Sequence, residues 1–283
     1  MTGAVVGDRP SQTTQHTTRF VVRRTDKITP HLIRITAIPA NPPEISRFAD
    51  LGHTDSYVKV IFKQPGVDYP EPFDMARVRA ELPRDRWPAL RSYTLRSVDP
   101  RTAQVVIDFV YHGDEGLAGP WAANATAGSE LLVLGPGGNY APDPTADWHL
   151  LVGDEAALPA IAASLTRIPP GAPVHAVIEV DGPEDHQDLP CPGDLRLDWL
   201  HRSEQPEQAL VEHVRGLEFR PGRVHAFVHG EAGVVKLLRR HLTRDRGVAL
   251  AQLSISGYWR RGFDDEGHRA MKAAERAQEE AEA

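Results

Sequence analysis

The texture of the chain changes near residue 140, and this change constrains the fold more than any other feature of the sequence. Before it come short runs of β-forming residues: 19–25, 31–38, 56–62, 91–97, 104–112 and 130–136. Pro, Gly, Asn and Asp fill the gaps, and the one short helix predicted among them spans 120–128. Short strands with turn signals and no long helices between them predict a closed or sandwiched antiparallel fold. The stretch "NYAPDPTAD" (139–147) is dense in helix and strand breakers. After it, strands at 148–154, 174–180, 195–200, 224–230 and 251–259 are interleaved with helices at 155–168, 206–217 and 231–244. Alternation of this kind predicts a parallel sheet covered by helices. The expected fold class is therefore an N-terminal antiparallel Greek-key β-barrel followed by a parallel-sheet α/β nucleotide-binding domain. The boundaries read as a disordered leader (1–16), barrel (17–140), linker (141–147), α/β domain (148–262) and helical tail (263–283). A length of 283 residues suits two domains of about 100–150 residues each.

Charge and cysteine usage narrow the function. Lys+Arg number 32 against 39 Asp+Glu, a net charge of −7, which argues against binding nucleic acid. One cysteine, Cys191, excludes a disulfide framework, a cysteine zinc site and an iron–sulfur cluster within one chain. The 13 histidines are scattered, and the two on the strand at 224–230, His225 and His229, sit about 13 Å apart in an extended chain. No bound metal is expected. The polar N-terminus and the lack of an apolar run near 18 residues predict neither signal peptide nor membrane-spanning helix, consistent with a cytoplasmic protein.

Four short stretches carry chemistry. In "LRSYTLRSVD" (90–99), strict alternation sets Arg91, Tyr93, Leu95 and Ser97 on one face and Ser92, Thr94 and Arg96 on the other. Arg91 suits a phosphate and Tyr93 a planar ring, although a solvated edge strand has the same composition. The segment from Asp108 and Val110 through His112 and Gly116 to Ala118 and Trp121 is a strand, a glycine loop and a short helix. Such loops present backbone N–H groups to anions, and they are also ordinary turns. In "LLVGDEAALPAIAASL" (150–165) a buried strand breaks at Gly153 before a helix, the place where doubly wound folds bind dinucleotides. It is not G-x-G-x-x-G, Asp154 and Glu155 repel a pyrophosphate, and Asp154 equally reads as a helix cap. Finally, "SISGYWRRG" (254–262) ends a strand in Tyr258 and Trp259 followed by Arg260 and Arg261, fit for stacking and anion contact or for packing a chain end.

Together these stretches resemble the siderophore-interacting protein family, FAD-dependent ferric-siderophore reductases related to ferredoxin reductases. The resemblance spans about residues 18–262 and rests on Arg91-Ser-Tyr-Thr94, His112-Gly-Asp with Gly116-Leu-Ala-Gly-Pro-Trp-Ala122, Gly153-Asp-Glu with Leu158-Pro-Ala160, and Ser256-Gly-Tyr-Trp-Arg260. It implies a ferredoxin-reductase-like arrangement, with FAD on the barrel and NADPH or NADH on the α/β domain. Arg91 would contact the FAD phosphates. Tyr93 would flank the isoalloxazine, and Thr94, with Ser92 beside it, would bond near the reactive edge. Asp108, Val110, His112, Gly116, Ala118 and Trp121 would hold the rest of FAD. Gly153, Asp154, Glu155 and Pro159 would border the nicotinamide, with Tyr258 and Trp259 nearby. Tyr93 and Thr94 would thus be the catalytic positions. Some relatives have Gly-Pro-Ala-Ser where this chain has Gly116-Leu-Ala-Gly119, so backbone N–H groups would replace a serine contact here.

The implied reaction passes electrons from NAD(P)H through flavin to siderophore-bound Fe(III), releasing Fe(II) that oxygen ligands hold weakly. The resemblance also implies substrate contacts from Lys59 and Arg260, in a monomer whose partner is a ferric siderophore. Alternatives are a flavin reductase serving a ferredoxin or other redox protein, and a ferric-siderophore binder without turnover. Arg202 is read either as a contact for a 2′-phosphate or as a surface arginine, which leaves NADH against NADPH open.

Overall fold

The computed structural model describes residues 16–202, 208–263 and 267. The expected leader, save His16, and the expected helical tail, save Phe263 and Gly267, lie outside the described residues.

Six antiparallel strands close into a barrel: β1 (Thr17–Thr29), β2 (Leu32–Pro39), β3 (Tyr57–Phe62), β4 (Ala89–Asp99), β5 (Gln104–Val110) and β6 (Glu130–Gly137). The order around the barrel is β1-β2-β5-β4-β3-β6, closed by β1 on β6. β5 returns beside β2 after a two-strand excursion, the Greek-key connection expected of such a barrel. Closure leaves no strand edge exposed to other chains. Alternate positions fill the interior with Phe20, Val22, Ile35, Val58, Val60, Ile107, Phe109 and Val133, each at most 1% exposed. At about 25 cal/mol per Å2 of apolar surface, each such side chain contributes roughly 1.5–3 kcal/mol on burial.

Helix α1 (Met75–Glu81) was not expected. Its signal is local: the Asp74 side chain accepts from the Arg77 amide, and Met75 and Val78 follow at helical spacing. These two apolar residues pack on Ile61, Leu132 and Leu134 outside the barrel. Helix α2 (Ala118–Asn124) is shorter than the predicted 120–128 and begins two residues earlier.

The second sheet contains β7 (Trp148–Gly153), β8 (Pro173–Val180), β9 (Asp194–His201), β10 (Val224–Glu231) and β11 (Leu253–Trp259), all parallel, in the order β11-β10-β7-β8-β9. Helix α3 (Leu158–Leu165) covers one face. Helices α4 (Ala209–Gly216) and α5 (Ala232–Arg240) cover the other. The chain lays down β7, β8 and β9 in one direction and then returns to place β10 on the far side of β7. The strand order therefore reverses between the carboxyl ends of β7 and β10, a topological switch point.

A polar seam joins the two units. Asp55 is buried, and its Oδ1 accepts from the amides of Asn139 and Tyr140, each at 2.8 Å. The Thr54 amide donates to the Tyr140 carbonyl at 2.7 Å, and the Thr54 hydroxyl meets Ser164 of α3 at 2.8 Å. Tyr140 lies buried on His225 and Phe227 of β10, with ring centroids 5.0 and 4.9 Å apart. Segment 141–147 is tied down in turn: Arg223 pairs with Asp143, and its amide donates to Asp147. At a second contact, His31 between β1 and β2 bonds Asp185 at 2.8 Å. That bond, with the Asp185 charge, raises the His31 pKa against the effect of burial.

Candidate functional site

β4 carries the first group of expected site residues, and its neighbours define its two faces. Tyr93 and Arg91 lie opposite Val58 and Val60, which face the barrel interior. Ser92 and Thr94 lie opposite Lys59 and Tyr57 on the outer face. The Tyr93 ring rests on Phe109, with centroids 4.3 Å apart and planes at 35°, and Trp121 of α2 meets the same phenylalanine at 5.4 Å. Arg91 is half-buried, and one of its Nη atoms donates to the Leu90 carbonyl at 3.1 Å. Ser92 is exposed, whereas Thr94 is 7% exposed.

The expectation that Ser97 shares the face of Arg91 and Tyr93 is overturned. A bulge against β5 lies between Leu95, opposite Ile107, and Ser97, opposite Val106. A bulge adds one residue to one strand and breaks its alternation. Ser97 is consequently exposed, and Val98 takes the inward place against the barrel core.

Asp108, expected at the cofactor, is occupied otherwise. It is 2% exposed, and Arg34 of β2 grips both carboxylate oxygens, Nε to Oδ1 at 2.6 Å and Nη2 to Oδ2 at 2.7 Å. Arg96, the residue at the bulge, stands within electrostatic reach of this pair, and burial lowers its pKa. Its buried Nη1 has no hydrogen-bond partner among the described residues. Sequence reading missed this ensemble because β2, β5 and β4 bring together positions 34, 108 and 96 only through the Greek-key pairing.

Beyond β5, Val110 is half-buried and His112 exposed. Gly113 and Gly116 adopt φ of +73° and +77°, conformations that favour glycine, and both are open to their surroundings. Ala118, the first residue of α2, is buried.

The expected nicotinamide border is a packed junction. A Cβ on Gly153 would stand 2.5 Å from the Ala157 Cβ and 2.7 Å from the His229 carbonyl, so this glycine allows strand and helix to touch. Asp154 is 3% exposed and accepts four N–H groups. Oδ1 takes Ala156 at 3.0 Å and Ala157 at 3.3 Å; Oδ2 takes Glu231 at 2.9 Å and the Trp259 indole at 2.7 Å. Burial, with the Glu155 charge second, pushes its pKa up to about 6. Four N–H donors nevertheless suit the ionised form. Pro159 is buried in α3.

Arg202 is half-buried and paired with two carboxylates. It donates to both oxygens of Glu155, at 3.0 and 2.6 Å, and to Glu179 at 3.1 Å. Burial works against its charge, but the bonds to Glu155 and the two glutamate charges outweigh it and raise its pKa. Glu155, at 7% exposure, is thereby committed to Arg202.

At the exit of β11, Tyr258 stands 4.8 Å from the His229 ring. Burial raises its pKa, and the nearby charges of Asp55 and Asp154 and the Tyr57 hydroxyl act in the same direction. Tyr258 thus stands within electrostatic reach of Asp55 and of Tyr57 at the start of β3. Among the described residues no group of three His, Cys, Asp or Glu could hold a metal ion, and no helix is long and apolar enough to cross a membrane.

Two family models match the chain: a siderophore-interacting FAD-binding domain over residues 21–140 and a siderophore-interacting protein domain over 146–262. An uncharacterized protein of Mycobacterium tuberculosis is 42% identical over 268 residues, covering 89% of this chain and 93% of that protein. Ferric vibriobactin reductase ViuB of Vibrio cholerae is 36% identical over 187 residues, covering 64% of this chain and 68% of that protein. The crystal structure of the siderophore-interacting protein SipS from Aeromonas hydrophila superposes with a TM-score of 0.74 at 29% identity, over 92% of this chain and 99% of that one.

Proposed function

The chain belongs to the siderophore-interacting protein family, and from that premise we propose that it is an FAD-dependent ferric-siderophore reductase acting in the cytoplasm as a monomer. The observation that carries this reading is the convergence of two elements. The strand pair holding Lys59, Arg91, Ser92, Tyr93 and Thr94 lies where α3 of the second unit packs against β4, within electrostatic reach of Tyr258 at the end of the parallel sheet.

The barrel residues fit FAD. Arg91 and Tyr93 are partly accessible side by side, one suited to a phosphate and the other to a ring, and the open backbone at Gly113 and Gly116 follows β5. When bound, FAD supplies the redox chemistry, accepting an electron pair and delivering electrons singly to Fe(III). Arg91 binds the diphosphate and Tyr93 orients the ring. Thr94 and Ser92 offer hydroxyls at its edge, and His112, Gly116, Ala118 and Trp121 line the remainder. Lys59, directly opposite Ser92, and Arg260, two residues beyond Tyr258, attract an oxygen-rich ferric complex. A net-negative protein achieves this by focusing positive potential locally. Reduced iron then leaves its oxygen ligands because Fe(II) carries less charge.

The donor in this reading is NADH or NADPH. The β7 turn does not fit a diphosphate, since its amides already serve Asp154. Anaerobic turnover with NADH or NADPH and a panel of ferric siderophores, with Fe(II) trapped by a chromogenic chelator, tests the proposal. Fe(II) should appear only with enzyme and donor together. Binding of ferric siderophore without any Fe(II) would instead make the chain a carrier. Reversing the charge of Lys59 and Arg260 should raise KM for the ferric complex and leave flavin reduction unaltered.

A further inference from the structure

At the switch point of a parallel sheet, dinucleotide-binding folds turn backbone N–H groups towards a diphosphate, and a glycine lets the chain approach it. Here the corresponding groups are spent on the protein itself. The amides of Ala156 and Ala157, after β7, and of Glu231, at the end of β10, all donate to the Asp154 carboxylate, joined by the Trp259 indole. Gly230 has φ of +140°, and a Cβ there would stand 2.6 Å from Asp154 Oδ2. This glycine, at the end of β10, admits the carboxylate. Beside it, Glu155 adds a second negative charge, and Arg202 is held by Glu155 and Glu179.

We propose that Asp154 occupies the diphosphate position of this fold, so that a nicotinamide donor engages the chain through its nicotinamide mononucleotide half and its phosphates beyond that go unread. With Arg202 committed, the 2′-phosphate is not recognised there either. This rests on the reading of the chain as a flavin reductase charged by such a donor, but the occupancy of the turn can be tested without any turnover.

The first test is titration of the FAD-loaded full chain with ADP-ribose and 2′-phospho-ADP-ribose, following the amide resonances of Ala156, Ala157 and Glu231. They should stay in place up to millimolar ligand. Saturable movement of these three amides overturns the proposal. In Asp154→Ala, which frees the amides of Ala156 and Glu231 while that of Ala157 keeps its bond to the main-chain carbonyl of residue 154, ADP-ribose should move the first two; if that variant does not fold, the titration of the native chain decides alone. The second test is anaerobic flavin reduction by NADH, NADPH and reduced nicotinamide mononucleotide. The three should agree in kcat/KM within about threefold, because one charge-assisted contact to the missing phosphates would already separate them by roughly tenfold or more. A mononucleotide poorer by that margin overturns the proposal. If none of the three reduces the flavin, the donor class is wrong, and the amide titration still decides whether Asp154 closes the turn.

Discussion

Replacing Asp108 with alanine removes the anion that two barrel guanidinium groups face. Arg34 gives it two bonds at 2.6 and 2.7 Å with only 23% of its own side chain exposed, and Arg96 is partly buried nearby. Without the carboxylate, two like charges remain in a region of low polarity, and Arg34 keeps only the more distant charge of Asp26. Breaking a buried pair from one side costs about 3–5 kcal/mol, mostly the cost of stranding the partner. Equilibrium urea unfolding followed by far-UV circular dichroism should show this loss in Asp108→Ala, both with and without FAD. Changing Arg34 to Met and Asp108 to Leu together should recover about half of it or more, since apolar replacement of both partners is often neutral. FAD affinity of the folded fraction should change by less than about tenfold, equivalent to about 1.4 kcal/mol. A variant that loses FAD while losing less than about 1 kcal/mol of stability would refute this reasoning and return Asp108 to the cofactor site.

Gly153→Ala should destabilise the chain by about 1–3 kcal/mol in the same unfolding assay, because the new methyl meets Ala157 and the His229 carbonyl at distances that backbone and helix must shift to relieve. His149 is fully buried on β7, and burial, with the His225 charge second, lowers its pKa from 6.5 to about 4. A depressed folded pKa means that the associated stability is present above pH 6.5 and declines as pH falls towards 4, by up to roughly 3 kcal/mol. The difference in unfolding free energy between the native chain and His149→Phe should therefore shift in favour of the variant as pH falls across that window; a constant difference refutes the assignment. Arg91→Ala should weaken FAD binding by about tenfold or more, the loss of a charge-assisted phosphate contact, as read by fluorescence titration of the apoprotein.

The architecture was legible because each half repeats one local pattern. Alternation with breakers marks β1 to β6, and buried runs followed by helices mark β7 to β11. α1 escaped because its apolar positions amount to little more than Met75 and Val78. The site was legible as positions rather than as roles. Arg91 and Tyr93 share a face as alternation requires, but alternation carries no signal for a bulge, and the face of Ser97 was misjudged. Glu155, Arg202 and Asp108 read as available charges in the sequence, and Asp154 as either a charge or a helix cap. Their partners Glu231, Trp259, Glu179 and Arg34 lie 23 to 105 residues away, and only the strand order brings them within bonding distance.

The bulge in β4 has a simple arithmetic. Leu95 and Val98 both point inward, three positions apart, so Arg96 is the strand's surplus residue. Excising it would restore an even count and leave Arg91, Tyr93, Leu95 and Val98 inward and Ser92, Thr94 and Ser97 outward. The ladder needs no residue there. What Arg96 adds to the barrel is a second guanidinium near Asp108, inserted without altering the face of any other side chain. Its place in the chain is thus separable from the fold, and shortening β4 by that one residue would isolate what the charge does from what the strand does.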